Sequence, residues 1–297
     1  MPRDYPGGKP ATEAPATENP SDVRANVLKR TPNPFPTRKP TRQMSSNPFM
    51  KSAGNPSGFV LHRGTVAGEP FVAVATLETD NRKTGDMIQV WFLLERINPV
   101  AAVAQRIDAR TICRGCPFAG GQGCYVNVGQ APLAVWNTFH RGAYPTLAPA
   151  DFRHVFSGRK VRFGAYGNPT LLPLELVDAI ARTSAGWTGY FHDWRENPRA
   201  ADYGRFFMAS TETRDSFRAA VAAGFRVFHV SPTQPDGTVE CLSDAAGMTC
   251  EKCRLCDGRF RAVAPAFGQQ PSRTLPSVWI NPHGSKAGRA SAVAMSN

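Results

Sequence analysis

The sequence predicts an α/β protein, a partial parallel (β/α) barrel preceded by a small N-terminal antiparallel β subdomain. Three observations carry this. Between residues 160 and 231, strand-like runs alternate with helical ones in the order KVRFGAY, LPLELVDAIARTSAG, WTGYFHDW, RFFMAS, TETRDSFRAAVAAG, FRVFHVS. Alternation of this kind implies crossover connections and therefore parallel strands. Between residues 58 and 94, FVLHRG, EPFVAVATLE and MIQVWFLL are β-branched or aromatic, and the turn-rich TDNRKTGD separates the last two as in a hairpin. Finally, 297 residues with 41% hydrophobic content suffice for a sizeable core, whereas 26 Gly and 26 Pro limit the regular structure around it.

Four segments follow in order. Residues 1–57 hold eleven prolines and little apolar periodicity, so they read as a disordered arm. With nine Lys or Arg against four acids, the arm carries +5 of the net +12, and it reads as a solvated tail or as a contact for nucleic acid. Residues 58–110 read as the β-hairpin subdomain, with Gly85 in its turn, and a short helix whose N-cap is Asn98 and first residue Pro99. Residues 111–284 read as the partial barrel. Before its first strand, Leu133, Val135, Trp136 and Phe139 form a helical stripe closed by Gly142, and a second helix spans Ala148 to Phe156. Residues 285–297 are small and polar and read as a flexible tail.

The excess of basic residues favours polyanionic or anionic partners. No stretch approaches the ~18 apolar residues that a bilayer span needs, and the start lacks the apolar core of a secretory signal, so the reading is cytoplasmic with no membrane association. P-loop, GxSxG and HExxH motifs are absent, which leaves nucleotide hydrolysis by a Walker motif and standard hydrolase chemistry without support.

All seven cysteines fall in two groups. Cys113, Cys116 and Cys124 lie in ICRGCPFAGGQGCY; Cys241, Cys250, Cys253 and Cys256 lie in ECLSDAAGMTCEKCRLCDG. An odd number clustered in Gly-rich loops argues for metal over disulfides. The first group suits an iron–sulfur cluster with one open iron, a zinc site completed by a further residue such as His283, or buried free thiols. Pro117 and the glycines at 120, 121 and 123 allow backbone N–H groups to turn toward sulfur. The second group is a complete four-thiolate set, closer to ferredoxin-type ligation than to a zinc ribbon, and suits a structural or electron-transfer site.

In parallel α/β folds ligands bind at the carboxyl ends of strands. Those ends carry AYGNP, then His192, Asp193, Trp194 and Arg195, then Ser210, Thr211 and Glu212, then His229 and Ser231; both cysteine groups are expected on the same rim. His192 reads as an acid–base or metal group or as a satisfied polar histidine, and His229 as a core residue. Tyr166, Trp187, Tyr190 and Trp194 are candidates for a substrate pocket or for core.

The order of a three-cysteine loop, a helix and a strand ending in GAYGNPTLLP resembles the radical S-adenosylmethionine superfamily over residues 111–232. The resemblance implies a [4Fe-4S] cluster on Cys113, Cys116 and Cys124, with Gly164, Gly167, Asn168 and Pro169 approaching the amine of S-adenosylmethionine, and an auxiliary cluster on the four later cysteines. The spacing here is C-x2-C-x7-C against the family's usual C-x3-C-x2-C, and Asn168 stands where an acid is usual. KTGDMIQVWFL, CRGCPFAGGQGCYVNVGQAPLAVW, FGAYGNP, WTGYFHDW and CRLCDG are similar to a family of uncharacterised cysteine-motif proteins of bacteriophages and prophages, over about residues 58–284. A zinc-stabilised nucleic-acid-binding protein with structural cysteine sites is the alternative from another class.

Overall fold

The computed structural model describes residues 54–259 and 275–295, all within one compact unit. The predicted N-terminal arm lies outside the described residues except for its last four. Two five-stranded sheets organise the chain, one mixed and one parallel.

The mixed sheet runs in the order β1 (Gly58–Val66), β2 (Glu69–Thr76), β3 (Met87–Leu94), β4 (Lys160–Tyr166), β5 (Gly186–Thr188). Its first three strands are antiparallel, and β3, β4 and β5 are parallel. The predicted antiparallel subdomain is therefore not separate, because β3 pairs with β2 on one side and β4 on the other. All eight of its residues are buried, as expected of a central strand covered on both faces. Gln89 meets that condition by donating from Nε2 to the Met87 carbonyl at 3.0 Å.

The parallel sheet runs β6 (Tyr190–Phe191), β7 (Met208–Thr211), β8 (Val227–Val230), β10 (Ser277–Ile280), β9 (Thr238–Glu240). The predicted strand WTGYFHDW is thus split between the sheets, with Gly189 as the break. Its N–H donates to the Cys256 carbonyl at 2.7 Å and its carbonyl accepts from Met208 N at 3.1 Å.

Helices fill the connections, as the alternation predicts. α1 (Pro99–Ala104) starts at the predicted cap, where the Asn98 side chain accepts from Ala101 N. After α2 (Ile107–Arg110) comes the first cysteine loop, then α3 (Ala131–His140) and α4 (Phe152–Phe156). α5 (Leu174–Thr183) buries Val177, Ile180 and Ala181 between β4 and β5. Past α6 (Ala200–Tyr203), α7 (Arg214–Ala222) opens on a reciprocal cap, Ser216 N to Thr213 Oγ1 and Thr213 N to Ser216 Oγ, worth about 1 kcal/mol. α8 (Leu242–Ala245) and α9 (Cys250–Cys253) carry the second cysteine group.

Residues 287–295 form a helix, α10, where the sequence predicts a flexible tail. Small side chains make this possible: Ala290 and Ala294 are buried, Lys286 Nζ reaches the Val126 carbonyl, and Arg289 Nη1 the Gly121 carbonyl. The helix thereby covers the first cysteine loop. Among the described residues no helix is long and apolar enough to cross a membrane.

Candidate metal centre

The first cysteine loop lies against the carboxyl ends of β3 and β4, beside the GAYGNP turn. Asn168 N donates to the Ile112 carbonyl at 2.7 Å, and the Gly167 N–H points to the Cys113 sulfur. Gly167 has φ +83°, and a methyl there would stand 2.6 Å from the Phe92 Cβ and 3.4 Å from the Ile112 carbonyl oxygen. Only glycine lets the turn approach the loop this closely. Gly164 (φ +71°) begins the same turn, and Pro169 opens a short 3-10 helix, Pro169–Leu171. Asn168 is 0% exposed, yet neither its Oδ1 nor its Nδ2 has a partner among the described residues. Burying an amide without hydrogen bonds costs on the order of 1–3 kcal/mol, so this side chain calls for a partner beyond the described residues.

The three thiols are neighbours. Burial pushes the pKa of Cys113 well up, and the charges of Cys116, Asp108 and Cys124 add to it; burial also raises Cys116, with Cys124 next, and Cys124. Backbone N–H groups face the sulfurs, those of Phe118 and Ala119 at Cys116 and that of Val126 at Cys124. Such donors stabilise thiolate and cluster sulfur alike. Asp108 packs beside them, its pKa raised by burial, with Gly120 N on Oδ2 at 3.3 Å and Oδ1 without a partner among the described residues.

The second group does not share that rim. Cys250 N and Glu251 N donate to the carbonyls of Lys83 and Thr84, just before β3, and Lys160 Nζ at the start of β4 stands 3.5 Å from Glu251 Oε1. These contacts belong to the amino-terminal edge of β3 and β4, opposite the first loop. The chain after Cys241 folds back under the sheet, a return that strand order alone does not reveal. Burial raises the pKa of all four thiols, and the other three cysteines add to the shift at Cys256.

All seven cysteines are free thiols. Cys116, Cys124 and all four of the second group line one cavity with about 1280 Å³ of empty space, including its open mouth. Among the described residues no three His, Cys, Asp or Glu side chains close on one point as the ligands of a single ion do. A cluster asks less, because each thiolate binds its own iron. The donor chemistry fits an iron–sulfur group: soft thiols, Cys113 buried and the other six half-buried and lining shared space, with backbone donors in each group.

The other candidates separate clearly. His192 lines the cavity, its Nδ1 has no partner among the described residues, and burial lowers its pKa to about 4, so it is a neutral imidazole at pH 7. Asp193 points away, as alternation requires, and accepts from Thr170 Oγ1 at 2.9 Å and Asn197 Nδ2 at 3.1 Å. His229 is core, 2% exposed, with Nδ1 2.8 Å from Thr211 Oγ1. His283 lines the same cavity, its ring stacked on that of Tyr125, the neighbour of Cys124, with Nε2 3.0 Å from Lys83 Nζ and Nδ1 3.6 Å from Asp244 Oδ2. Of the four aromatic candidates only Tyr190 lines the cavity; Trp187 and Trp194 are buried with their indole N–H groups on the carbonyls of Phe206 and Ser210, and Tyr166 is buried beside Asp108.

Sequence reading missed Arg162, Asp108, Thr188 and the buried pair Arg226–Asp257. Arg162 had a signal: in KVRFGAY it alternates with Val161 and Phe163, which are buried on the other face, so a cation stands on the cavity-facing side of a central strand. The comparisons with family models, curated proteins and solved structures give no match for this chain.

Proposed function

We propose that the chain is a metal-dependent iron–sulfur enzyme resembling radical S-adenosylmethionine enzymes, with a second cluster on the four later cysteines. The observation that carries this reading is the meeting of the three-cysteine loop with the GAYGNP turn, through Asn168 N on the Ile112 carbonyl and the Gly167 N–H on the Cys113 sulfur. The parallel run β3–β4–β5/β6–β7–β8–β10, bridged at Gly189, supports reading the two sheets as one partial barrel around the cavity.

In this reading Cys113, Cys116 and Cys124 would each hold an iron, and the backbone N–H groups of Gly167, Phe118, Ala119 and Val126 would stabilise the sulfurs. Burial alone keeps these thiols protonated, so metal binding releases their protons. The unpartnered Oδ1 of Asn168 would accept from the cofactor's ammonium, while the space beside Gly164 and Gly167 is filled by Pro169, Phe92 and the Ile112 carbonyl, so these glycines shape the turn that carries Asn168. When bound, a reduced cluster of this type supplies the electron that cleaves the sulfonium of S-adenosylmethionine. Cys241, Cys250, Cys253 and Cys256 would hold the second cluster with all four thiolates committed, and that cluster would supply storage or relay of an electron. His192, neutral and unpartnered at Nδ1, accepts a hydrogen bond or a proton from whatever occupies the cavity.

Anaerobic purification tests the reading. Brown protein with iron and acid-labile sulfide, losing about half of both in the triple Cys113→Ser, Cys116→Ser, Cys124→Ser variant while the second group keeps its share, is the expected result. A colourless protein loaded with zinc refutes it and promotes the nucleic-acid-binding alternative.

A further inference from the structure

The cavity between the cysteine groups contains a cation that no carboxylate among the described residues pairs with. Arg162 projects from the middle of β4, and its Nη2 donates to the hydroxyls of Tyr125 at 2.7 Å and Tyr190 at 2.8 Å. Its guanidinium also stands 5.5 Å from the Tyr190 ring centre. Among the described residues no carboxylate pairs with it, and Nε and Nη1 make no hydrogen bond. Two other Lys or Arg line this cavity, and both are committed: Lys83 is paired with Asp244, and Arg254 is exposed with Nη1 on the Ala185 carbonyl. The two tyrosines fix the plane of Arg162 and leave one edge of the fork open.

A second observation points to the same space. Thr188 is 3% exposed and its Oγ1 has no partner among the described residues, as is true of His192 Nδ1; both residues line the cavity. Phe118, Phe228 and Ile280 supply apolar wall.

We infer that Arg162 is the anchor for a carboxylate of the substrate, an apolar or aromatic carboxylic acid lodged between the two cysteine groups, with Thr188 and His192 hydrogen-bonding polar atoms next to it. A rigid guanidinium edge matches a planar carboxylate through two parallel N–H···O bonds. The apolar wall around the single open guanidinium edge favours a carboxylate on an apolar body over a doubly charged phosphate. Gly167 and Asn168 follow the end of β4, beyond the register shift between Arg162 and Tyr166, and neither lines this cavity, so a group held by Arg162 is distinct from one at the Asn168 turn. This inference rests on the reading above and assigns the substrate class of that cavity.

The test uses full-length protein, both as purified and after anaerobic iron–sulfur reconstitution, with 3-phenylpropanoate as probe and 3-phenylpropanamide and inorganic phosphate as comparators. Titration calorimetry is paired with NMR of the arginine Nε–H resonances. Expected are saturable binding of the carboxylate, at least tenfold weaker binding of the amide, no competition by equimolar phosphate, and one arginine resonance that shifts on titration and is missing in Arg162→Lys. Arg162→Gln should weaken binding at least tenfold and Arg162→Lys at least fivefold. Thr188→Val, which keeps the side-chain shape, should weaken it about threefold and serves where the arginine variants fail to fold. Equal binding of acid and amide, competition by phosphate, or a shift in a resonance that Arg162→Lys retains overturns the inference. Iron and sulfide content, measured on the same samples, reports separately on the cluster reading.

Discussion

Arg226 is the most exacting test of how the second cysteine group is held. Its side chain is 1% exposed and the paired Asp257 is 0% exposed, with Nη1 to Oδ1 at 3.3 Å. The remaining donors close on backbone: Nε to the Leu275 carbonyl at 3.2 Å, Nη1 to Arg259 at 3.1 Å, Nη2 to Leu255 at 2.8 Å and to Pro276 at 2.9 Å. One guanidinium therefore joins the start of β8, the chain on either side of Cys256, and the residue before β10. Arg226→Met keeps the stem's bulk but leaves four carbonyls and Asp257 Oδ1 without this donor. Removing one partner of a buried ion pair costs about 3–5 kcal/mol. Asp257 keeps Arg259 at 2.9 Å, which sets the expectation near the lower end, about 3 kcal/mol. For a unit of this size that is a fall in Tm of roughly 6–12 °C. Because Nη2 holds the carbonyl next to Cys256, metal at the second group should fall with stability while the first group keeps its share. Arg226→Lys, with the charge but not the fork, should fall in between. Urea denaturation followed by circular dichroism, with metal analysis, measures both. A loss under 1 kcal/mol, or loss of metal from the first group instead, refutes the reasoning.

Three further outcomes are expected. Gly167→Ala should cost about 2–5 kcal/mol, from its left-handed backbone and the Phe92 contact, and should deplete iron at the first group; Gly68→Ala, at φ +80° with open space around it, should cost only about 1 kcal/mol. Equal costs in the two melts would show that the close approach is unimportant. Cys253→Ser should remove metal from the second group alone, with a loss of several kcal/mol of metal-coupled folding, and unchanged metal content counts against a site there. Burial lowers the pKa of His229 to about 4 from 6.5, so the native state binds fewer protons than the unfolded chain between those values. Stability should therefore fall on acidification from pH 6.5 to about 4, by up to ~3 kcal/mol from His229. His192 titrates in the same window, and His229→Gln should remove about half of the difference between denaturation midpoints at pH 7 and pH 4.5.

The sequence by itself determined the local elements. Periodicity placed β1 to β4, α5, α7 and β8, because an apolar stripe of period 2 or 3.6 is a property of neighbours in the chain. Asn98–Pro99 fixed the start of α1 for the same reason, a cap being made within one turn. Cysteine spacing identified two groups of thiols, and the glycines at 164 and 167 marked the turn that reaches the first. Tertiary structure decided what these elements meet. The pairing of β3 with β4 merged the predicted subdomain into the larger sheet, since an edge satisfied in a hairpin leaves the other edge to be paired by whatever strand arrives. The return of the chain at Cys250 to the carbonyls of Lys83 and Thr84 put the second group at the opposite end of β3 and β4 from the first, through contacts some 165 positions apart that no short-range pattern encodes. Arg162 and Arg226 show the same division: both are basic residues in strand-like runs, and only their surroundings separate a cation facing a cavity without a carboxylate from one saturated by carbonyls and Asp257. Burial decides the chemistry of such groups, and burial is a property of the folded whole.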